Sequence, residues 1–188
     1  MKEVILNMIF IPALKKLYKT DYDNIRFGAS ERNICARLAL HIENTLREYD
    51  ERNNSALFRD YYADVEYNRM GNGDLKHYED CECRPRYMVS DLLIQTRGYG
   101  RNLLAVEMKR KGNRRNVVDD KDRLRSMVSS PRNDEFVDKC VHDTLLGAFI
   151  LYSSEGLQME LYGNVDGEGK KIGEQRYVYE GGGLRRIE

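Results

Sequence analysis

Two short apolar runs, residues 88–96 and 102–109, stand on either side of the pentapeptide Arg97-Gly98-Tyr99-Gly100-Arg101. Both are rich in Val, Leu and Ile, the pattern of strands covered on both faces. The two glycines between them allow the positive φ of a short hairpin loop. A turn centred on Tyr99 places Gln95 opposite Leu103, Leu93 opposite Ala105 and Asp91 opposite Glu107. Cross-strand partners have Cβ atoms roughly 4.5–5.5 Å apart, so two carboxylates meet at one end of an otherwise apolar hairpin. Side chains two apart share a face, which sets Lys109 beside Glu107. Two neighbouring acids repel, and their burial is unfavourable unless a cation or a proton neutralises them.

Around this hairpin the chain reads as one domain over residues 1–188, a natural size for a single core. Residues 1–28 form an N-terminal helical extension and residues 163–188 a C-terminal hairpin or tail. The first apolar stretch is shorter than the ~20 residues of a membrane span. It carries Glu3 and Asn7 and lacks a small-residue cleavage site, so an amphipathic helix ended or kinked by Pro12 is expected. A cytoplasmic protein with no membrane partner follows, and the apolar face of this helix is a candidate surface for a homodimer. Ser30 is a good N-cap for a helix with Ile34, Leu38, Ile42 and Leu46 at helical spacing, running to about Tyr49. Residues 61–68 read as a strand, 71–73 as a turn, and 74–86 as polar and irregular. Residues 118–128 form a helix stopped at Ser129-Ser130-Pro131, and 136–142 are ambiguous. Residues 145–152 suit an interior strand, with 157–162 an edge hairpin against it and 175–179 the one strand of a loose tail. Helices alternating with apolar strands indicate an α/β fold: a central mixed sheet flanked by helices.

The order acid, loop, acid-x-lysine resembles the core of the PD-(D/E)XK nuclease superfamily. Here it is Asp91 followed by Glu107-Met108-Lys109, with Ser90 in place of the proline of the name. The likeness, to a bacterial branch of that superfamily, extends to Ser30-Glu31-Arg32 at a helix start, the strand at 64–69, and a helix with Asp120-x-x-Arg123-Leu124; it covers about residues 29 to 128. It implies a restriction-endonuclease-like αβββαβ core and a metal-dependent nuclease hydrolysing DNA phosphodiester bonds, on duplex or branched DNA. Asp91, Glu107 and the Met108 carbonyl would hold Mg²⁺ (or Mn²⁺), an ion that takes oxygen ligands and keeps several waters. Lys109 would position the attacking water, and Glu31 would reach the metal from its helix. Glu66 and Lys121 are supporting candidates, although Asp64 and Glu66 also suit solvent-facing acids.

Other features set limits. Equal numbers of basic and acidic residues, 31 each, give no global attraction to nucleic acid. Any positive face is local: Arg110, Lys111, Arg114 and Arg115 follow Lys109 directly, a run that is usually a solvated loop but in this place would meet the phosphate backbone. Arg97 and Arg101 lie at the other end of the strands. A surface ion-pair patch, or a non-catalytic nuclease-fold module binding nucleic acid or a protein partner, would use similar residues. The facing of Asp91 by Glu107 disfavours an idle sheet. Four cysteines are too sparse for a disulfide scaffold. Cys81-Glu82-Cys83 with His77, Cys140 and His142 contains the right elements for zinc, but C-x-C is not a usual finger spacing.

Overall fold

The structure, a computed structural model, describes residues 1–66, 75–79, 84–87, 89–97, 101–131 and 141–187. The chain opens with a π-helical segment, Val4–Phe10, that continues directly into α1, Ile11–Thr20, with Pro12 in its first turn. Proline has no N–H for the carbonyl four residues back and its ring crowds that carbonyl. The preceding turn widens to the i→i+5 pattern, so the helix continues through Pro12. After α2, Tyr22–Arg26, comes α3, Glu31–Asn53. Its Ser30 cap accepts the Asn33 N–H at 3.2 Å, and it runs past Tyr49 before Asn54 closes it with φ 46°.

The strands are β1 (Tyr62–Val65), β2 (His77–Glu79), β3 (Pro85–Tyr87), β4 (Leu92–Gln95) and β5 (Leu104–Arg110); helix α4 (Val117–Val128) follows. Then come β6 (Leu146–Ser153), β7 (Gly156–Val165), β8 (Glu168–Glu180) and β9 (Gly183–Arg186). Among the described residues seven strands make one mixed sheet in the order β1-β4-β5-β6-β7-β8-β9, and β2 with β3 makes a separate ribbon. Only β5 and β6 run parallel; the other neighbours in the large sheet are antiparallel. The molecule is thus α/β, a large mixed sheet flanked by helices.

The register of the β4–β5 hairpin is the one expected: Leu92 pairs with Val106, Leu93 with Ala105 and Ile94 with Leu104. Residues 98–100 of the loop lie outside the described residues, and Arg97, leading into it, has φ 57°. Successive side chains of the hairpin enter different cores. Leu92, Ile94, Leu104, Val106 and Met108 pack with the π-helical segment, α1 and α3, whereas Leu93 and Ala105 pack with Leu124, Met127 and Val128 of α4. Burial on both sides explains the uninterrupted apolar runs.

Several expectations are corrected. The 74–86 segment carries β2 and β3 rather than being irregular throughout, and Pro85 belongs to that ribbon. β7 is not an edge, because β8 and β9 extend the sheet beyond it where a loose tail is expected. β8 is held by its backbone ladder to β7, with much of its length exposed, so its composition carries little apolar signal. The apolar face expected for a homodimer is consumed within the chain: Ile5, Ile9, Phe10, Leu14, Leu17 and Tyr18 are all core residues. No described helix is long and apolar enough to cross a membrane. The expected turn at 71–73, the cysteines of the zinc reading (Cys81, Cys83 and Cys140) and most of the ambiguous 136–142 segment lie outside the described residues.

Candidate functional site: an acidic cluster at the end of β5

Strand alternation sends Glu107 and Lys109 to the α4 side of the sheet and Met108 to the α3 side. Glu107 is 1% exposed. Its Oε1 accepts a hydrogen bond from Arg123 Nη1 at 2.8 Å, while Oε2 is buried and has no hydrogen-bond partner among the described residues. Arg123 also donates to Asp120 Oδ1 at 3.2 Å and to the Val89 carbonyl at 2.7 Å. Lys109 Nζ lies 3.2 Å from Asp120 Oδ2 and 3.8 Å from Glu31 Oε2. The first contact is an ion pair without hydrogen-bond alignment, so Asp120 Oδ2 is a second buried oxygen lacking such a bond among the described residues.

Asp91 sits just ahead of β4, where its Oδ2 accepts the Met108 N–H at 2.7 Å. Glu31, in the first turn of α3, accepts from the Arg110 N–H and from Asn113 Nδ2, both at 2.8 Å. The helix start thereby ties α3 to the loop that follows β5. Beneath the cluster, burial pushes the Cys35 thiol far up, and the neighbouring acids add to it. Cys35 is a silent thiol here.

Four carboxylates, from Glu31, Asp91, Glu107 and Asp120, thus meet two cations, Lys109 and Arg123. Burial pushes the Glu107 carboxyl well above the usual carboxylate range; Arg123 opposes this, and Asp91 and Asp120 reinforce it. Burial also raises Asp91, against the Met108 N–H bond and the Lys109 charge. For Lys109, burial disfavours the ammonium, but Asp91, Asp120 and Glu31 outweigh it and the pKa rises. Lys109 is accordingly a fixed positive charge and a hydrogen-bond donor.

The donor set fits a hard divalent cation. Carboxylate and carbonyl oxygens suit Mg²⁺, the acids outnumber the cations, and Glu107 Oε2 has lone pairs to offer. Among the described residues no three His, Cys, Asp or Glu side chains form a ready metal cage. Mg²⁺ needs none, because it is held by one or two carboxylates and retains waters. Asp91, Glu107 and the Met108 carbonyl are the donors that would hold it.

The other residues singled out from the sequence are spread more widely. Glu66 has φ 51°, pairs with Arg32 at 2.7 Å, and gives its N–H to the Asp91 carbonyl; it braces Asp91 through the backbone. Asp64, expected to face solvent, is buried: it accepts from Gln95 Nε2 at 2.9 Å and from Arg97, while Gln95 in turn accepts from Lys76. Arg97 is therefore at the far end of the hairpin, as expected. Lys121 points away from the acids, 3.0 Å from Glu160 of β7 and over the Phe149 ring. The α4 residues that do reach the cluster are Asp120 and Arg123. Their spacing with Leu124 carried that signal: residues three and four apart share a helix face, and Leu124 faces the core. On the basic loop, the Arg110 guanidinium lies against Gly28, Lys111 pairs with Glu155 at 3.2 Å, and Arg114 and Arg115 are exposed. No protein-family model matches this chain, and neither a curated protein nor a solved structure matches it.

Proposed function

We propose that this chain is a metal-dependent nuclease of restriction-endonuclease-like fold that hydrolyses DNA phosphodiester bonds. The observation that carries the reading is Glu107: a buried carboxyl group with one oxygen that has no hydrogen-bond partner among the described residues, in an acid-rich cluster that also holds Asp91 and Lys109. The succession α3, β1, β4, β5, α4, β6 supports the αβββαβ reading. Asp91, Glu107 and the Met108 carbonyl hold Mg²⁺ or Mn²⁺, and Glu31 adds negative charge from the α3 start. The cation, when bound, contributes positive charge to the phosphate and acidifies water.

The chain's own groups do the rest. Lys109 orients the attacking water and offers its ammonium to the phosphate as charge builds on the oxygens. Asp120 holds that ammonium in place, and Arg123 anchors Glu107 from α4. The Met108 N–H fixes the rotamer of Asp91. Arg110, Lys111, Arg114 and Arg115 lead away from the cluster and suit the neighbouring phosphates.

The test is cleavage of supercoiled plasmid and of a branched DNA in Mg²⁺ or Mn²⁺ by wild type, Glu107→Ala and Lys109→Ala. Nicking by the wild type that falls about a hundredfold or more in both variants is expected, the scale of losing a transition-state contact. Equal nicking by all three proteins, or none on either substrate, refutes the reading.

A further inference from the structure

A cavity lies on the same face of the sheet as the acidic cluster. Helix α4 crosses that face obliquely. Its first two turns stand over Glu107 and Lys109, whereas its later residues press on Gly147 and Gly169, at the start of β6 and of β8. A Cβ added to Gly147 would lie 3.4 Å from Leu124 and Val128, and one on Gly169 would lie 1.9 Å from the Arg125 carbonyl oxygen. The opposite corner, where β6 ends, β7 begins and β8 ends, carries an open cavity of about 290 Å³.

Strand register connects this cavity to the cluster. Lys109 pairs with Leu151, Leu151 with Gln158, and Gln158 with Arg176. Paired residues share a face, so these side chains form a row leading from the lysine across three strand spacings, about 14 Å at about 4.8 Å each. Leu151, Val178 and Ile187 give the cavity apolar lining, and Lys111 and Arg176 supply cations. Lys111 pairs with Glu155 at 3.2 Å, with side chains 68% and 80% exposed. Such a pair is worth little and exchanges readily for a phosphate. Arg176 stands on the cavity wall, with Glu174 at 3.4 Å among its partners. An apolar floor between two cations, joined to the basic loop, is complementary to a base with its phosphate.

We infer that this cavity is a nucleotide subsite, in which a base of the substrate strand lies on Leu151 and Val178 while its phosphate meets Lys111 and Arg176. The inference rests on the nuclease reading above and narrows its substrate. A base seated against a sheet has left its stack and its pair, so the strand is single-stranded or locally unpaired DNA. Apolar contact with the base face carries little sequence information, and the two cations read only the backbone.

The experiment measures fluorescence anisotropy of a labelled short single strand and of the blunt duplex of the same sequence, with cleavage suppressed by EDTA. Val178→Glu and Arg176→Glu both alter partly exposed positions, and thermal unfolding verifies that each variant is folded. Both are expected to weaken single-strand binding about tenfold or more, while Arg52→Glu, the same charge change on the far end of α3, stays within about twofold of wild type. The single strand binds more tightly than the duplex. Wild-type affinity in both cavity variants overturns the subsite, as does a duplex bound as tightly as the single strand. Competition by a free deoxynucleoside monophosphate at the oligonucleotide's own concentration also overturns it, in favour of a free-nucleotide site. The two readings fail separately. Glu107-dependent cleavage with unchanged binding by Val178→Glu sinks the subsite alone. Weakened binding by the cavity variants in a protein that cleaves nothing sinks the nuclease reading and leaves the cavity a strand-binding site.

Discussion

Replacing Arg123 by methionine keeps most of the aliphatic bulk and removes the cation hydrogen-bonded to Glu107. The guanidinium donates at 2.8 Å to a carboxylate that is 1% exposed, and its own side chain is 17% exposed. At that separation and an effective dielectric of about 20, the attraction is about 6 kcal/mol. Releasing the guanidinium from its own desolvation returns part of this, and removing one member of a buried pair leaves a net loss of about 3–5 kcal/mol. Asp120 keeps Lys109 at 3.2 Å, which favours the lower end. For a chain of this length, about 3 kcal/mol lowers Tm by about 6–12 °C. The assay is urea unfolding of wild type, Arg123→Met, Glu107→Gln and the double variant, all in EDTA. Because the loss arises from a stranded charge, Arg123→Met should cost less than about 1 kcal/mol once Glu107 is glutamine. An equal loss in both backgrounds would refute the buried-pair account and make Arg123 a packing residue of α4.

Three further outcomes are expected. Raising Mg²⁺ to about a hundred times its Kd should stabilise the wild type by about 2.7 kcal/mol, or about 5–11 °C in Tm, and Glu107→Gln should cancel the shift; a wild type unmoved by Mg²⁺ and Mn²⁺ refutes the donor set. Burial alone would raise the carboxyl of Asp21, but bonds from His41 at 2.6 Å, Arg37 at 2.6 Å and Thr20 at 2.9 Å outweigh it and hold it below the usual range. Its stabilising contribution is therefore present above the unfolded carboxylate value of about 3.9 and disappears as pH falls through the lower folded value. Asp21→Asn should cost about 2 kcal/mol at neutral pH and flatten the acid limb of urea-unfolding stability; superimposable acid limbs would be inconsistent with this. Gly169→Ala should cost about 2 kcal/mol or more in chemical denaturation, since its Cβ would meet the Arg125 carbonyl at 1.9 Å and push α4 off the sheet; a neutral effect would show that α4 sits elsewhere.

The amino-acid sequence was sufficient wherever the deciding interactions are local. The β4–β5 register follows from two apolar runs and the length of the loop between them. The start of α3 follows from one serine whose hydroxyl meets an N–H three residues on, and the end of α4 from Ser129-Ser130-Pro131. The alternation of a strand then puts Glu107 and Lys109 on one side of the sheet. Strands β8 and β9 were not legible, because they are held by backbone ladders to a neighbour and expose much of their own length. The burial of Asp64 was equally hidden, since Lys76 and Arg97 join its network from outside β1.

Tertiary packing alone decided which charges meet. Each step along a helix turns a side chain by about 100°, so the rotation of α4 about its axis presents Asp120 and Arg123 to β5 and carries Lys121, one residue on, to Glu160 of β7. Composition is indifferent to that angle; the apolar stripe of Leu124, Met127 and Val128 sets it only once there is a sheet to lie on. Glu31 likewise meets the Arg110 N–H, 79 residues away in the chain, because α3 packs against the β5 face. Types and faces of residues are short-range properties written in spacing. The excess of buried acid over base at the end of β5 is long-range, and exists only where strand, loop and two helices converge.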